Sequence, residues 1–465
     1  MPQQSDISRR DFLQNGSLAV GSSAIAGAFS SLLSRTARGE QKRTQVGYGT
    51  LRPVADQATG LELLKLPEGF TYKSYGWTGD ALSDGQATPG AHDGMAVIAA
   101  DDDGILTLCR NHELKSDGKP FAKSEIVFDQ SAGGGCTNLR FDPDKGTWES
   151  ATPSLSGTVK NCAGGATPWG TWLTCEEAVA GPQTEDDGRV YNYEEEHGWI
   201  FEVPETGNAT AVPLKDMGCF VHEAVAVDPN TGIVYETEDR GTAGFYRFIP
   251  NRPGDLAAGG ILEMLKVPGF SDLGRDVEAG REYDCEWVKI DEPHRGHSPN
   301  TKDELGVFLQ GRAKGGTRFA RLEGCWFGNG VVYFVSTSGG DVGAGQIWSY
   351  DPKAAKLSLV FESPDKQVLE SPDNIAVSPR GGIVLCEDGD LIPQRLHGLT
   401  PDGQLFRFAD NNVVLKSERN GFRGDFRGSE WAGATFSPDG KWLFANLQNP
   451  GMTFAITGPW EDRGL

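Results

Sequence analysis

Carboxylates, thiols and an arginine placed at the ends of strand-like segments are the residues of this chain whose types and spacing suit chemistry. One phrase recurs: an alternating apolar run, a turn built on Pro-x-x-Gly, and a second apolar run ending in acidic groups. Its clearest copies are Glu223-Ala-Val-Ala-Val-Asp-Pro229-Asn-Thr-Gly232-Ile-Val-Tyr-Glu-Thr-Glu238-Asp239 and Asn374-Ile-Ala-Val-Ser-Pro379-Arg-Gly-Gly382-Ile-Val-Leu-Cys-Glu387-Asp388. In a hairpin the start of the first strand and the end of the second share one sheet edge. Glu223 is therefore expected beside Glu238 and Asp239, and Asn374 beside Glu387 and Asp388. Glu323 opens a third such unit, and Cys175-Glu176-Glu177 closes a fourth.

Carboxylates gathered at one mouth repel each other and are driven to protonate unless cations sit among them. Carboxylate oxygens suit calcium and ferric iron, whereas a single thiolate suits a transition metal. The metal reading is assigned to Glu176, Glu223, Glu323 and Glu387, with Glu177 and Asp388 next to them in sequence. The alternative is solvated rim carboxylates, or acceptors of hydrogen bonds from loop amides. Cys175 stands between a metal ligand and a buried thiol or disulfide, because Cys386 occupies the matching place in its own unit. Eight cysteines without a CxxC pair exclude zinc ribbons, and in an exported chain one or two disulfides are expected. His92, His112 and His222 each precede an acidic residue but lack a second histidine at metal spacing, so loop-orienting hydrogen bonds are expected of them. His294 and His297 read as solvated. Arg321 falls on the same strand face as Glu323, where its guanidinium would either grip phosphate oxygens or pair with a rim carboxylate.

The elements that must position these groups are many short strands. The chain has 465 residues with 62 glycines and 26 prolines, which suits tight turns rather than a helical bundle. About six hairpin units spread evenly along it predict an all-β, six-bladed β-propeller with inter-blade insertions at 181–197 and 270–300. One catalytic domain over 41–465 is expected. A formal net charge of −22 argues against nucleic-acid binding. Ser8-Arg9-Arg10-Asp11-Phe12-Leu13, followed by an uncharged stretch to Leu33, reads as a twin-arginine signal within 1–40. Passage through the twin-arginine translocase, a periplasmic or extracellular location, no stable membrane span after processing and a monomeric state follow as expectations.

Together, His92-Asp-Gly-Met95, Arg110-Asn-His-Glu113, Gly134-Gly-Cys-Thr-Asn138, Asn161-Cys-Ala-Gly-Gly165, Thr167-Pro-Trp-Gly170 through Glu177, His222-Glu223, Arg321-Leu-Glu-Gly324 and Ser371-Pro-Asp-Asn374 resemble the PhoX-type alkaline phosphatases. The resemblance implies hydrolysis of small-molecule phosphate esters at a ferric pair, Fe(3+), and calcium ions, Ca(2+), around a bridging oxo group. On that model Cys175, Glu176, Glu223, Glu323 and Glu387 form the metal cage, and Arg321 binds the substrate phosphate. A calcium-dependent propeller lactonase or phosphotriesterase, and a non-catalytic propeller scaffold, are the rival readings.

Overall fold

A computed structural model describes residues 46–115, 118–186, 189–206, 209–460 and 464–465, so the twin-arginine segment lies outside the described residues. Six antiparallel sheets surround a central axis, their first strands adjacent to one another in a closed ring. The expected six-bladed propeller is the observed fold.

Local sequence explains each blade. After the strand His222–Val227 the Asp228 carboxylate accepts the Asn230 N–H at 2.9 Å and the Thr231 hydroxyl at 2.8 Å. Gly232 then adopts φ 73°, a region glycine enters without a Cβ penalty, and the chain returns as Val234–Glu238. Both strands are buried along their whole length, because a blade's inner strands are covered on each face by the neighbouring blades.

The first blade runs His92–Ala100, Leu106–His112, Gly134–Asp142, Thr147–Thr158 from the axis outward. The second has Asn161–Ala166, Thr171–Glu176 and Ile200–Pro204. The third starts with His222–Val227, the fourth with Leu322–Gly328, the fifth with Pro372–Val377 and the sixth with Trp431–Phe436. Large apolar clusters fill the seams between consecutive blades, for example Trp172 and Phe201 against Cys109 and Leu155, and Phe334 and Trp348 against Tyr235 and Phe245. The ring closes with Thr71–Tyr75, which forms the outer strand of the sixth blade by pairing with Met452–Thr457.

Of the two expected insertions, 270–300 does bridge blades: Glu282–Asp284 pairs with the outer strand of the fourth blade and Glu286–Lys289 with that of the third. The other lies inside a blade. The hairpin of Pro182–Asp186 and Arg189–Asn192 falls between the second and third strands of the second blade. The disulfide expectation is corrected: all eight cysteines are free, seven of them buried.

Candidate metal centre

Three positions repeat in every blade and build one end of the ring. The residue before each inner strand (Ala91, Lys160, Val221, Arg321, Ser371, Glu430) offers its carbonyl to the N–H of the residue after the second strand (Glu113, Glu177, Asp239, Thr337, Asp388, Gln448), at 2.8–3.3 Å. Just inside each inner strand the pairing register slips by one residue, and at that bulge sit Asp93, Cys162, Glu223, Glu323, Asp373 and, one step later in the sixth blade, Gly433. A bulge re-aims a side chain out of the strict in–out alternation. Here it lets consecutive blades direct their side chains toward one mouth.

Beneath the mouth the axis is nearly closed. Gly94, Ala163, Ala224, Gly324 and Asn374 line a residual space of about 20 Å³. A Cβ on Gly94 would stand 2.5 Å from the Ala163 Cα, so the inner strands touch backbone to backbone. The site is thus a cup rather than a through-channel.

Nine side chains in this cup fall into overlapping groups whose ligand atoms lie within 4.8 Å of one another: Cys162 with Glu177 and Glu223; Glu223 with Glu323 and Asp373; Asp373 with Asp388 and Glu430; and Asp93 with Glu113 and Glu430. Burial, together with the surrounding negative charge, pushes the carboxyls of Asp93, Glu177, Glu223, Glu323 and Glu430 well above the ordinary range, and that of Asp373 to about 7. Burial also raises the Cys162 thiol, with Glu223 and Glu177 adding to the effect. A donor set of this kind is poorly matched to protein alone and well matched to multivalent cations. The thiol occurs only in the group with Glu177 and Glu223; the other groups are all oxygen.

Arg321 stands at the rim. Its Nε and Nη2 donate to the two Asp239 oxygens at 2.8 and 2.9 Å, and Nη2 also donates to Glu323 at 2.7 Å. These hydrogen bonds to Asp239 and the neighbouring negative charges raise the guanidinium pKa, which fixes it as a cation. A pocket of about 260 Å³ is bounded by Glu177, Lys160, Arg240, Tyr193, Glu185 and Asp239, the last of which also holds Arg321.

The structure therefore brings Glu177, Glu223, Glu323, Asp388 and Arg321 together. It does not bring in Cys175, Glu176 or Glu387. Strand alternation turns Cys175 into the apolar seam between the second and third blades, just as Cys386 enters the seam between the fifth and sixth. Both Glu176 oxygens are taken up, by the Val159, Gly198 and Trp199 N–H groups and by His197 Nδ1 at 2.7 Å. Glu387 accepts two bonds from Arg395 at 2.6 and 2.7 Å, one from His397 at 3.0 Å and one from the Glu370 N–H. His92, His112 and His222 do orient loops, each through a backbone carbonyl: Pro89, Gly90 and Gly218. His294 is about half exposed and pairs with Asp216. His297 is instead committed, accepting the Glu304 N–H at 2.9 Å.

Sequence reasoning assigned no role to Asp93, Glu113, Cys162, Asp373 and Glu430. Four of them lie inside motifs quoted for the resemblance; Glu430 lies outside those motifs and carries no signal.

A six-bladed propeller whose blades jointly supply a thiol and eight carboxyls to one cup, counted among the described residues, is an architecture suited to holding multivalent cations. The family model for alkaline phosphatase PhoX matches residues 46–155 and 149–451, and the chain belongs to that family, as a hydrolase of the alkaline phosphatase type. Among solved structures, the chain is similar to Pseudomonas fluorescens PhoX in complex with vanadate, a transition state analogue, at 18% identity and a TM-score of 0.65, covering 90% of this chain and 99% of that one. A gluconolactonase from Xanthomonas campestris is matched at 12% identity and a TM-score of 0.36, over 90% and 94% of the two chains. No curated protein matches the chain.

Proposed function

We propose that this chain is an exported phosphatase that hydrolyses small-molecule phosphate monoesters in the cup, using Fe(3+) held by the group containing Cys162 and Ca(2+) held by the all-oxygen groups. The observation that carries the reading is the set of nine metal-competent side chains drawn from all six blades. A thiolate among them favours iron beside calcium over the calcium-only alternative. When bound, the ions supply Lewis-acid polarisation of the phosphoryl group and neutralise its charge.

The chain's own residues do the rest. Arg321 offers a planar pair of donors to phosphoryl oxygens, with Asp239 holding the fork in place. The floor of Gly94, Ala163, Ala224 and Gly324 excludes bulk water from below, so charge developing during phosphoryl transfer is met in a dry, fixed environment. The alcohol end of the ester faces the open mouth. Export is proposed from Arg9-Arg10 and the uncharged stretch that follows, with a periplasmic or extracellular destination, a monomeric state and a single catalytic domain over 41–465.

The test is hydrolysis of p-nitrophenyl phosphate at alkaline pH by the exported protein, with calcium and then with a chelator, alongside Cys162→Ser and iron analysis. Calcium-dependent hydrolysis that disappears with iron in Cys162→Ser is expected. A fully iron- and calcium-loaded protein without phosphatase activity would overturn the proposal.

A further inference from the structure

Cys162 reaches the cup from a bulge, and a bulge is a place where backbone groups lose their ladder partners. Cys162 and Ala163 both stand opposite Cys175, so the second blade cannot serve the two of them alike. Their carbonyls are taken from outside the blade. Asn111, fully buried in the second strand of the first blade, donates through Nδ2 to the Cys162 carbonyl at 3.1 Å and to the Ala163 carbonyl at 2.7 Å. Its Oδ1 accepts the Trp172 indole N–H at 2.9 Å, the Thr174 hydroxyl at 2.9 Å and the Cys136 thiol at 3.1 Å. An indole N–H can only donate and a carbonyl can only accept, so the amide stands one way round with both ends in use. The Cys162 thiol itself meets the His222 and Glu223 carbonyls at 3.4 and 3.5 Å as a weak donor, a hold that ends once it ionises to bind a metal. Its direction is then set by its backbone.

The same device recurs in other seams. Asn446, in the second strand of the sixth blade, donates to the carbonyl of Asp93, the bulge residue of the first blade, at 2.5 Å. Thr237 of the third blade donates to the carbonyl of Glu323, the bulge residue of the fourth, at 2.6 Å. Each holds a candidate ligand by its backbone from the preceding blade and leaves the ligand atom free. We propose that Asn111 is a positioning residue for the thiol-containing group of the cup: by fixing the Cys162–Ala163 backbone from the first blade, it aims the thiol at the point shared with Glu177 and Glu223 and so sets that group's affinity for a thiophilic cation. The proposal rests on the assignment of Cys162 to a metal group in the reading above. Groups outside the ligand set govern metal affinity through orientation alone. Asparagine suits the task because an aspartate would turn an acceptor oxygen toward both carbonyls, and a serine hydroxyl is too short to reach the two and has one proton to give.

The experiment is titration of Cd(2+) into the chelator-stripped full chain, read by the thiolate-to-metal charge-transfer absorbance with Cys162→Ser as the blank, and thermal unfolding of the same stripped samples. Asn111→Ser and Asn111→Asp are expected to weaken the Cys162-dependent binding roughly tenfold to a hundredfold. Asn446→Ser loses the matching bond to Asp93, whose group holds no thiol, and is expected to stay within about threefold of the parent although it too unfolds at a lower temperature. Trp172→Phe frees one bond at the acceptor end of the amide and is expected to fall between them; it decides the matter should neither Asn111 variant fold, parent affinity there counting against the proposal. Asn111 variants that keep the parent's affinity overturn the inference. So does Asn446→Ser weakening the absorbance as much as Asn111→Ser, since lost packing would then account for both. A parent without any Cys162-dependent absorbance removes the metal assignment of Cys162 and this inference with it. Binding through Cys162 that depends on Asn111, in a protein that hydrolyses no phosphate monoester, leaves the inference standing and removes the proposed activity.

Discussion

Glu176 and Glu177 are adjacent in sequence and should respond to the same substitution with opposite signs. In Glu176→Gln, His197 keeps its position between residue 176 at 2.7 Å and Asp129 at 3.2 Å but loses one of its two buried anionic partners. Removing one partner of a buried ion pair costs about 3–5 kcal/mol. With an unfolding entropy of about 2.1 cal/mol/K per residue, a chain of this length has roughly 1 kcal/mol/K in total, so Tm should fall by ~3–5 °C. Glu177→Gln removes a carboxyl whose pKa is raised first by burial and then by Glu113. Each pH unit of that rise is worth about 1.4 kcal/mol of repulsion and desolvation, so the chelator-stripped variant should be as stable as the stripped parent or more so. The assay is thermal unfolding of stripped and metal-loaded forms of both variants, with metal content by mass spectrometry. Glu176→Gln should keep its metal and Glu177→Gln should lose it. The reasoning fails if Glu176→Gln loses metal without losing stability, or if stripped Glu177→Gln unfolds several degrees below the stripped parent.

Further outcomes are expected from other parts of the molecule. Cys175→Ser places a hydroxyl in an apolar seam and should cost about 1–3 kcal/mol with iron retained, whereas Cys162→Ser should lose iron with little change in the Tm of the stripped protein; elemental analysis and calorimetry separate the two. His197 is opposed by burial, but Glu176 and Asp129 raise its pKa to about 9. Its folded pKa thus exceeds the unfolded value near ~6.5, so its contribution to stability is complete below that pH and should be lost as pH rises through about 9. Denaturant midpoints measured from pH 6 to 10 should show this slope in the parent and not in His197→Gln. Gly94→Ala drives a Cβ to 2.5 Å from the Ala163 Cα and should cost about 1–3 kcal/mol or more, measured by urea unfolding.

The propeller was legible because its signal is repetition: hairpins with alternating strands and Pro-x-x-Gly turns survive in the sequence whatever the blades pack against. That Glu223, Glu323 and Asp388 share a mouth was also readable, since hairpin geometry alone puts strand starts and strand ends at one edge. Which member of an acidic pair faces the mouth was not. Glu176-Glu177 and Glu387-Asp388 differ only in the last step of a strand, and the first of each pair is turned to donors inside the blade. The bulges hid the thiol. Cys162 reaches the cup because the register slips between Asn161 and Gly164, an event without a residue signature, while Cys175 keeps strict alternation and is buried. The recurrence of a cysteine at 386 was itself a hint of a packing role. Asp93 and Glu113 sat beside the histidines that drew attention, and Glu430 stands before a strand, Trp431–Phe436, whose register slips at Gly433, a residue with no ligand to offer.

Closure of the ring by Thr71–Tyr75 against Met452–Thr457 has a consequence for the order in which the molecule comes into being. The strand that completes the last blade is synthesised before any blade, and it waits, unpaired with its partner, until nearly the whole chain has been made. Every group of ligand atoms draws on at least two blades, and the one formed by Asp93, Glu113 and Glu430 straddles the seam between first and last. A nascent chain can therefore present the group of Cys162, Glu177 and Glu223 once its third blade is made, but the two groups that use Glu430 must wait for the sixth. The complete set of ligand groups thus forms only near the end of synthesis, and a chain cut before Met452 would lose the closure of the ring while keeping every one of these side chains.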